Sequence, residues 1–202
     1  HGQYDTPKDV FWATGACLMV RSKVFSELGG LDDRFFAHME EIDLCWRMQL
    51  EGWKVTIVPD SVVYHVGGGT LPASSPFKLF LNYRNNLMML DNNLAKTFAL
   101  ESFRKGYSLD RSVRKGCRKA TWRIFTRKCL DWMSAIVYLL TFRIRNFSSV
   151  VKAHKEYKRL RQDIGREEVR NYLSSVKPEV TVAGIYRKSI IVQSMLKGKA
   201  IF

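Results

Sequence analysis

The sequence predicts an α/β layer fold up to about residue 94, followed by a mainly α-helical basic extension, and three observations carry this. Before Leu90, apolar runs of strand length alternate with stretches of helical periodicity. After Leu94 the strand signals stop and the segments become at once basic and apolar. The charge divides at the same place. Residues 1 to 100 hold nine Lys/Arg against eleven Asp/Glu, whereas residues 101 to 202 hold twenty-four against eight, so the net +14 belongs to the second half. A chain of 202 residues that is 46% hydrophobic is long enough for one domain with a core plus an appendage, and too apolar to be largely disordered.

The elements follow in order. Val10 to Val20 (VFWATGACLMV) is apolar nearly throughout and reads as a buried strand, with Gly15 and Ala16 where a ligand can approach the backbone. Ser22 is placed to cap a short helix that ends at Leu28 before Gly29 and Gly30. Asp32, Asp33 and Arg34 form a turn. A helix is expected from Glu40 to Glu51, stopped by Gly52, then strands at Lys54 to Val58 and Val62 to His65, and a helix from about Ser75 carrying LFLNYRNNLMML. Residues 117 to 145 and Phe147 to Ile164 read as basic helices. From Gly165 the pattern weakens, with one further short element at Ile185 to Met195. The division expected is 1–94 for the α/β part, 95–165 for the helical extension and 166–202 for a weakly structured tail.

The most informative stretch is FFAHMEEIDLCWRMQLEGW, residues 35 to 53. At about 100° per residue, Glu40, Asp43, Arg47 and Glu51 share a polar stripe, while Ile42, Leu44, Cys45, Trp46, Met48 and Leu50 cover the remaining face. Glu41 falls off the stripe, between Cys45 and Met48. A carboxylate on that side is partly desolvated, the environment that raises the pKa of a general base. The plainer alternative is that acidic residues favour the first turn of any helix and that Asp43 with Arg47 is an ordinary i,i+4 pair. Farther on, His65 precedes Gly67, Gly68, Gly69 and Thr70. An imidazole beside a backbone free of side chains suits a divalent metal and a phosphate group.

The succession TGACLMVRSKVFSELGGLDDRFFAHMEEIDLCWRMQLEGWKVTIVPDSVVYHVGGGT resembles the C-terminal half of the catalytic domain of family 2 inverting glycosyltransferases, in the bacterial rhamnosyltransferase-like and galactofuranosyltransferase-like branch. The Gly-Ala strand, the GGLD turn, the acidic helix and the strand ending in His stand in that family's order over roughly residues 10 to 92. The resemblance implies the C-terminal part of a GT-A (nucleotide-diphospho-sugar transferase) fold. It implies a catalytic base at Glu41, with Glu40 open as the alternative, and a metal ligand at His65. Trp12, Thr14, Gly15 and Ala16 would line the acceptor site. Gly67, Gly68, Gly69 and Thr70 would face the diphosphate, Arg84 with its neighbours Tyr83 and Asn85 would be either structural or in contact with the phosphates, and Asp43 and Arg47 would give structural support. The implied cofactor is a divalent metal, Mn or Mg. The family's Asp-x-Asp motif is absent from the sequence, so the metal site would be completed by residues outside this chain, which is expected to be a piece of something longer.

The partners implied are a nucleotide-diphospho-sugar donor and a glycan or lipid-linked acceptor. The basic half adds an anionic membrane surface, since the apolar portion Trp132 to Phe142 is too short to span a bilayer but suits the headgroup region. That places the protein in the cytoplasm, peripheral at the inner face of the cell membrane. Cys17, Cys45, Cys117 and Cys129 lack metal-site spacing and read as reduced packing residues. A competing reading of the same charge is a module without catalysis, either membrane-anchoring or nucleic-acid-binding. No nucleic-acid signature supports the latter, and nucleic acid is not expected as a partner.

Overall fold

Among the residues described by the computed structural model (5–65, 72 and 75–185), helices make up nearly all of the regular structure. The order is β1 (Lys8–Asp9), a 3-10 turn (Gly15–Cys17), α1 (Ser22–Glu27), a second 3-10 turn (Asp33–Phe35), α2 (Glu40–Leu50), β2 (Thr56–Ile57), α3 (Pro76–Arg104), α4 (Leu109–Leu140), α5 (Ile144–Leu160) and α6 (Arg166–Ser175). β1 and β2 form a two-stranded antiparallel ribbon in which Lys8 pairs with Ile57 and Asp9 with Thr56.

The long helix α3 organises the rest, packing against α2, α4, α5 and α6. Its start is specified locally. The Ser75 hydroxyl accepts from the Lys78 amide at 3.4 Å, and Pro76 occupies the first turn, where its missing N–H leaves no bond unmade. Leu87, Met88, Ala99 and Leu100 then turn inward and join Trp46 and Leu50 of α2, Val113 of α4 and Val169 of α6 in one core. α4 runs back along α3, and Gly116 sets the closest approach. A Cβ at that position would lie 2.6 Å from Ala99 Cβ and 2.7 Å from the Ala95 carbonyl oxygen.

Several sequence expectations are corrected. Val10 to Val20 is not a buried strand. The Val10 amide still donates to Val55 O at 2.8 Å, but the chain then bends into the 3-10 turn, leaving Trp12 and Met19 exposed. An apolar run is buried as a strand only between neighbouring strands, and among the described residues β1 and β2 have only each other. Val62 to His65 is likewise exposed and unpaired in a sheet.

Ser22 is the first residue of α1 and not its cap; Arg21 holds the cap position without a side-chain bond. The expected boundary at residue 94 falls inside α3, which runs through it unbroken. The stretch after Gly165 is better ordered than its sequence pattern suggests. α6 buries Val169, Tyr172 and Leu173 at helical spacing, and the Tyr172 hydroxyl donates to Leu50 O at 2.7 Å. Beyond it, Gln49 Oε1 accepts from the Ala183 amide at 2.7 Å. Of the four cysteines, Cys45 is buried, while Cys17 and Cys129 are exposed and are not packing residues. Most of the element proposed at Ile185 to Met195 lies outside the described residues.

Alanine forms helix better than glycine by about 1 kcal/mol, but at 116 the added methyl meets backbone that cannot yield. Gly116→Ala is therefore expected to destabilise the fold by about 1–3 kcal/mol, read as a lower midpoint in thermal unfolding followed by circular dichroism. An unchanged or raised midpoint would show that α3 and α4 do not approach this closely.

Candidate active site

The site is built on the loop between the Asp33–Phe35 turn and α2. Three of its non-glycine residues, Phe36, His38 and Met39, have φ of 64°, 70° and 74°. Such backbone costs of the order of 1 kcal/mol per residue and persists only where the surroundings hold it. The hold comes from α3. The Asn85 Nδ2 group donates to the carbonyls of Phe35, Ala37 and His38 at 3.0, 2.7 and 2.7 Å. Arg84 Nη2 donates to those of Arg34 and Phe35 at 3.0 and 2.7 Å, and its Nε to Asn85 Oδ1 at 2.9 Å. Both side chains are buried.

The turn before the loop is tied down as well. The Asp32 carboxylate accepts from Arg34 Nε and from the Arg34 amide, and Arg34 Nη1 reaches Leu160 O at 3.0 Å. Burial alone would raise the Asp32 pKa; the Arg34 guanidinium outweighs it and holds the carboxyl below its ordinary value.

This arrangement presents a cluster of polar atoms with unmet bonding capacity. His38 Nε2, Glu40 Oε2 and Glu41 Oε2 are all shielded from solvent and find no hydrogen-bond partner among the described residues. Shielded polar atoms are rarely left so, and three stand here within four residues of sequence; Asn86 Oδ1, Asp91 Oδ2 and Asn93 Oδ1 of α3 lack a hydrogen bond as well. Glu41 itself is half-buried. Burial pushes its carboxyl pKa up; the backbone amides of Glu41 and Ile42 and the nearby His38 oppose the rise, and the Glu40 carboxylate adds to it. Gly15 lies against it: a Cβ there would be 3.7 Å from Glu41 Cβ, an ordinary contact, so Gly15 is not demanded by space.

Other residues singled out in the sequence fall as follows. Trp12, Thr14, Gly15 and Ala16 are exposed on the turn beside Glu41, where Thr14 Oγ1 accepts from the Ala16 amide at 3.4 Å. Whereas Glu51 on the same stripe is exposed, Asp43 is fully buried and lies against α3. Its Oδ1 accepts from Asn93 Nδ2 at 2.7 Å and Asn92 Nδ2 at 3.1 Å, and its Oδ2 from Arg47 Nε at 2.7 Å. Arg47 also donates to Leu28 O and Gly30 O. Arg84 commits two of its nitrogens to the loop and to Asn85, so these are not turned toward a phosphate. His65 is exposed. Among the described residues no three His, Cys, Asp or Glu side chains gather as a metal ligand set. Gly67, Gly68, Gly69 and Thr70 lie outside the described residues.

Sequence reading missed the parts played by His38 and Phe36. A stretch Phe-Phe-Ala-His-Met before an acidic helix start, with no glycine or capping Ser/Thr, was the available signal. A cleft of about 730 Å³ is a different place. It is lined by the Glu27–Arg34 segment, Arg47, Lys96 and Glu168 and contains neither Glu40 nor Glu41. The cleft has one unbonded shielded oxygen of its own, Asn93 Oδ1, whereas the α2 end has three such atoms and a carboxyl whose pKa burial raises.

With this geometry in view, comparison with known proteins is informative. Over 58 residues the chain is 41% identical to an N-acetylglucosaminyl-diphospho-decaprenol L-rhamnosyltransferase of Mycobacterium tuberculosis, covering 29% of this chain and 19% of that protein. Over 50 residues it is 38% identical to a rhamnosyltransferase of Escherichia coli K12, covering 25% and 19%. Over 99 residues it is 27% identical to a low-salt glycan biosynthesis hexosyltransferase of Haloferax volcanii, covering 48% and 32%. Over these stretches the chain is similar to glycosyltransferases. It spans about a fifth to a third of the length of these curated relatives. No family model matches the chain, and no solved structure does.

Two outcomes follow for this site. Asn85→Ala removes the donor shared by three loop carbonyls and is expected to lower stability by about 2 kcal/mol, with faster amide exchange confined to residues 35–39. Uniform exchange across the chain would contradict the clamp. Glu41→Gln is expected to raise the melting temperature at pH 7, because the folded-state pKa lies above the unfolded one and burying the ionised form opposes folding. The sign is fixed by linkage: the proton is held more tightly in the folded state, so wild-type stability is lost as pH rises through the folded pKa. The two proteins should converge below about pH 4, near and under the unfolded carboxyl value, and a gap that persists there would contradict the assignment.

Proposed function

We propose that the α2 end is the acceptor side of a glycosyltransferase site, in which Glu41 is the general base. The observation that carries this reading is a shielded carboxylate, Glu41 Oε2, without a partner, at the end of a strained loop and with its pKa raised by burial. A carboxylate so placed accepts a proton more readily than one in water, and its missing hydrogen bond is one that a substrate hydroxyl can supply. The donor is a nucleotide-diphospho-sugar. The acceptor is a hydroxyl of a lipid-linked or growing glycan, a choice supported by the mycobacterial relative, whose name gives a diphospho-decaprenol-linked sugar.

The step is a single displacement. Glu41 takes the proton as the acceptor oxygen bonds to the anomeric carbon, the bond from that carbon to the diphosphate breaks on the opposite face, and the nucleoside diphosphate leaves with the electron pair. The sugar inverts and no covalent enzyme intermediate forms. Glu40 keeps the local potential negative, which maintains the raised pKa of its neighbour, while the Gly15–Ala16 turn gives the acceptor room beside it. The reading includes a GT-A type fold for the whole protein and a place at the cytoplasmic face of the membrane. His65 lacks a ligand set among the described residues, and no step is derived through a metal.

The test is turnover in a preparation that transfers sugar. Glu41→Gln is expected to lower kcat by ~10²-fold or more with KM little changed, since proton transfer is lost while shape is kept. Glu40→Gln is expected to cost far less. Should Glu40→Gln be the crippling change and Glu41→Gln the mild one, the base is Glu40; if both turn over normally, the site is not catalytic.

A further inference from the structure

The helices α1, α2 and α3 end alike. After each, a glycine (Gly29, Gly52 or Gly106) takes a left-handed φ, and its own amide and the next one close back on the last turn. α4 ends in the same motif, with Phe142 N bonded to Leu139 O at 3.1 Å and Arg143 N to Tyr138 O at 2.8 Å. The residue at the glycine position is a phenylalanine, with φ of 55° and 89% exposed. A large apolar side chain thus stands in water on backbone that opposes it. Phe36, at φ 64° and 74% exposed, repeats the combination.

The two lie at one end of the helix bundle. Phe36 stacks edge-on against exposed Phe77 in the first turn of α3, with ring centroids 6.0 Å apart. The Ser149 hydroxyl of α5 donates to Pro76 O at 2.8 Å, which brings the α4–α5 corner beside that turn. From this end an apolar stripe runs back along the outer face of α4 through Trp122, Phe125, Met133, Ile136, Val137 and Leu140, all exposed. The opposite face of α4, with Val113, Gly116, Ala120, Ile124 and Ala135, already packs inward. A helix apolar on both sides needs a second cover.

Charge identifies the cover. Between Arg111 and Lys155 stand twelve Lys/Arg and a single acid, Asp131, which is buried and paired with Arg127. Arg143 and Arg145 alternate with Phe142 and Ile144 at the corner, and all four are exposed. No helix among the described residues is long and apolar enough to cross a membrane. We propose that the outer face of α4 and the bundle end bearing Phe142, Ile144, Phe36 and Phe77 dock onto an anionic bilayer surface, with the apolar side chains among the acyl-chain boundary and the arginines at the headgroups. Docking there sets the acidic cluster close to the lipid. Asn85, which clamps its loop, is nine residues from Pro76, roughly 14 Å along α3 at 1.5 Å per residue. An acceptor whose sugar is anchored by a lipid diphosphate would then meet Glu41 without leaving the membrane. That last consequence rests on the proposed function; the docking does not.

The experiment is sedimentation of the full chain with vesicles of phosphatidylglycerol and phosphatidylcholine, against phosphatidylcholine alone. Wild type is expected to bind the anionic vesicles at least about tenfold more tightly. Phe142→Gly separates docking from folding: it relieves the backbone and should raise the melting temperature while weakening vesicle binding several-fold. Ile136→Glu and the Arg143→Glu/Arg145→Glu pair, all at exposed positions, should each weaken it about tenfold with the melting temperature kept. Equal binding to neutral vesicles, or unchanged binding by Phe142→Gly and Ile136→Glu, overturns the proposal. So does a concentration-dependent dimer that Ile136→Glu abolishes in the absence of vesicle binding, which would assign the face to a second copy. Since vesicle binding needs no turnover, Glu41→Gln should leave it intact, so the catalytic reading and this one fail separately.

Discussion

The Asp43 carboxylate is wholly buried, and a buried charge is tolerated only where every lone pair that matters has a donor. Two asparagine amides from α3 and the Arg47 guanidinium from its own helix meet that demand. Because Asn92 and Asn93 are adjacent in sequence and converge on one oxygen, α2 fits α3 in a single register; a slip of one turn, 5.4 Å, would strand the charge. The same register sets Trp46 Nε1 at 2.9 Å from Thr97 Oγ1, and Thr97 in turn donates to Asn93 O. Arg47 extends the tie to the carbonyls that end α1. Fixed at that depth, the start of α2 leaves the preceding loop no room except over Arg84 and Asn85.

That constraint explains how the loop sustains its cost. Left-handed backbone at Phe36, His38 and Met39 and the shielded carboxylates of Glu40 and Glu41 all oppose folding locally. They are tolerated because the α2–α3 interface and the Arg84–Asn85 clamp stabilise the same segment by more. Among the described residues the left-handed non-glycine positions are not scattered. They gather at the start of α2 and at the α4–α5 corner, where Phe142 repeats the exposed, strained phenylalanine of position 36.

What the sequence made legible followed from local rules. The helix from Glu40 to its stop at Gly52 and the start of α3 at Ser75-Pro76 are written in caps, periodicity and a C-terminal glycine, and the structure has them at those places. The desolvated side of Glu41 was readable because a single residue broke a stripe. The strands were not: Val10 to Val20 is apolar enough for a strand, but pairing depends on neighbours that composition does not reveal. The burial of Asp43 was hidden for a related reason, since its asparagine partners lie about fifty residues away and an i,i+4 arginine offered a sufficient local account. α6 escaped notice because its apolar positions, Val169, Tyr172 and Leu173, are few and become informative only against α3 and α4.

One helix serves as the common frame for all of this. Along α3 stand Phe77 at the exposed end, Arg84 and Asn85 under the loop, Asn92 and Asn93 on Asp43, and then Ala95 and Ala99 against Gly116 with Thr97 between them on Trp46. Distances between the bundle end, the acidic cluster and the α4 contact are therefore set by helical rise, which varies little, and not by loops, which vary much. A catalytic carboxylate that must meet a substrate held at a surface needs its height above that surface fixed. In the proposed docking, with Glu41 as the proposed base, mounting both the Phe77 end and the carboxylate's clamp on one helix, with buried Asp43 to prevent slippage, fixes that height by helical rise and a single register.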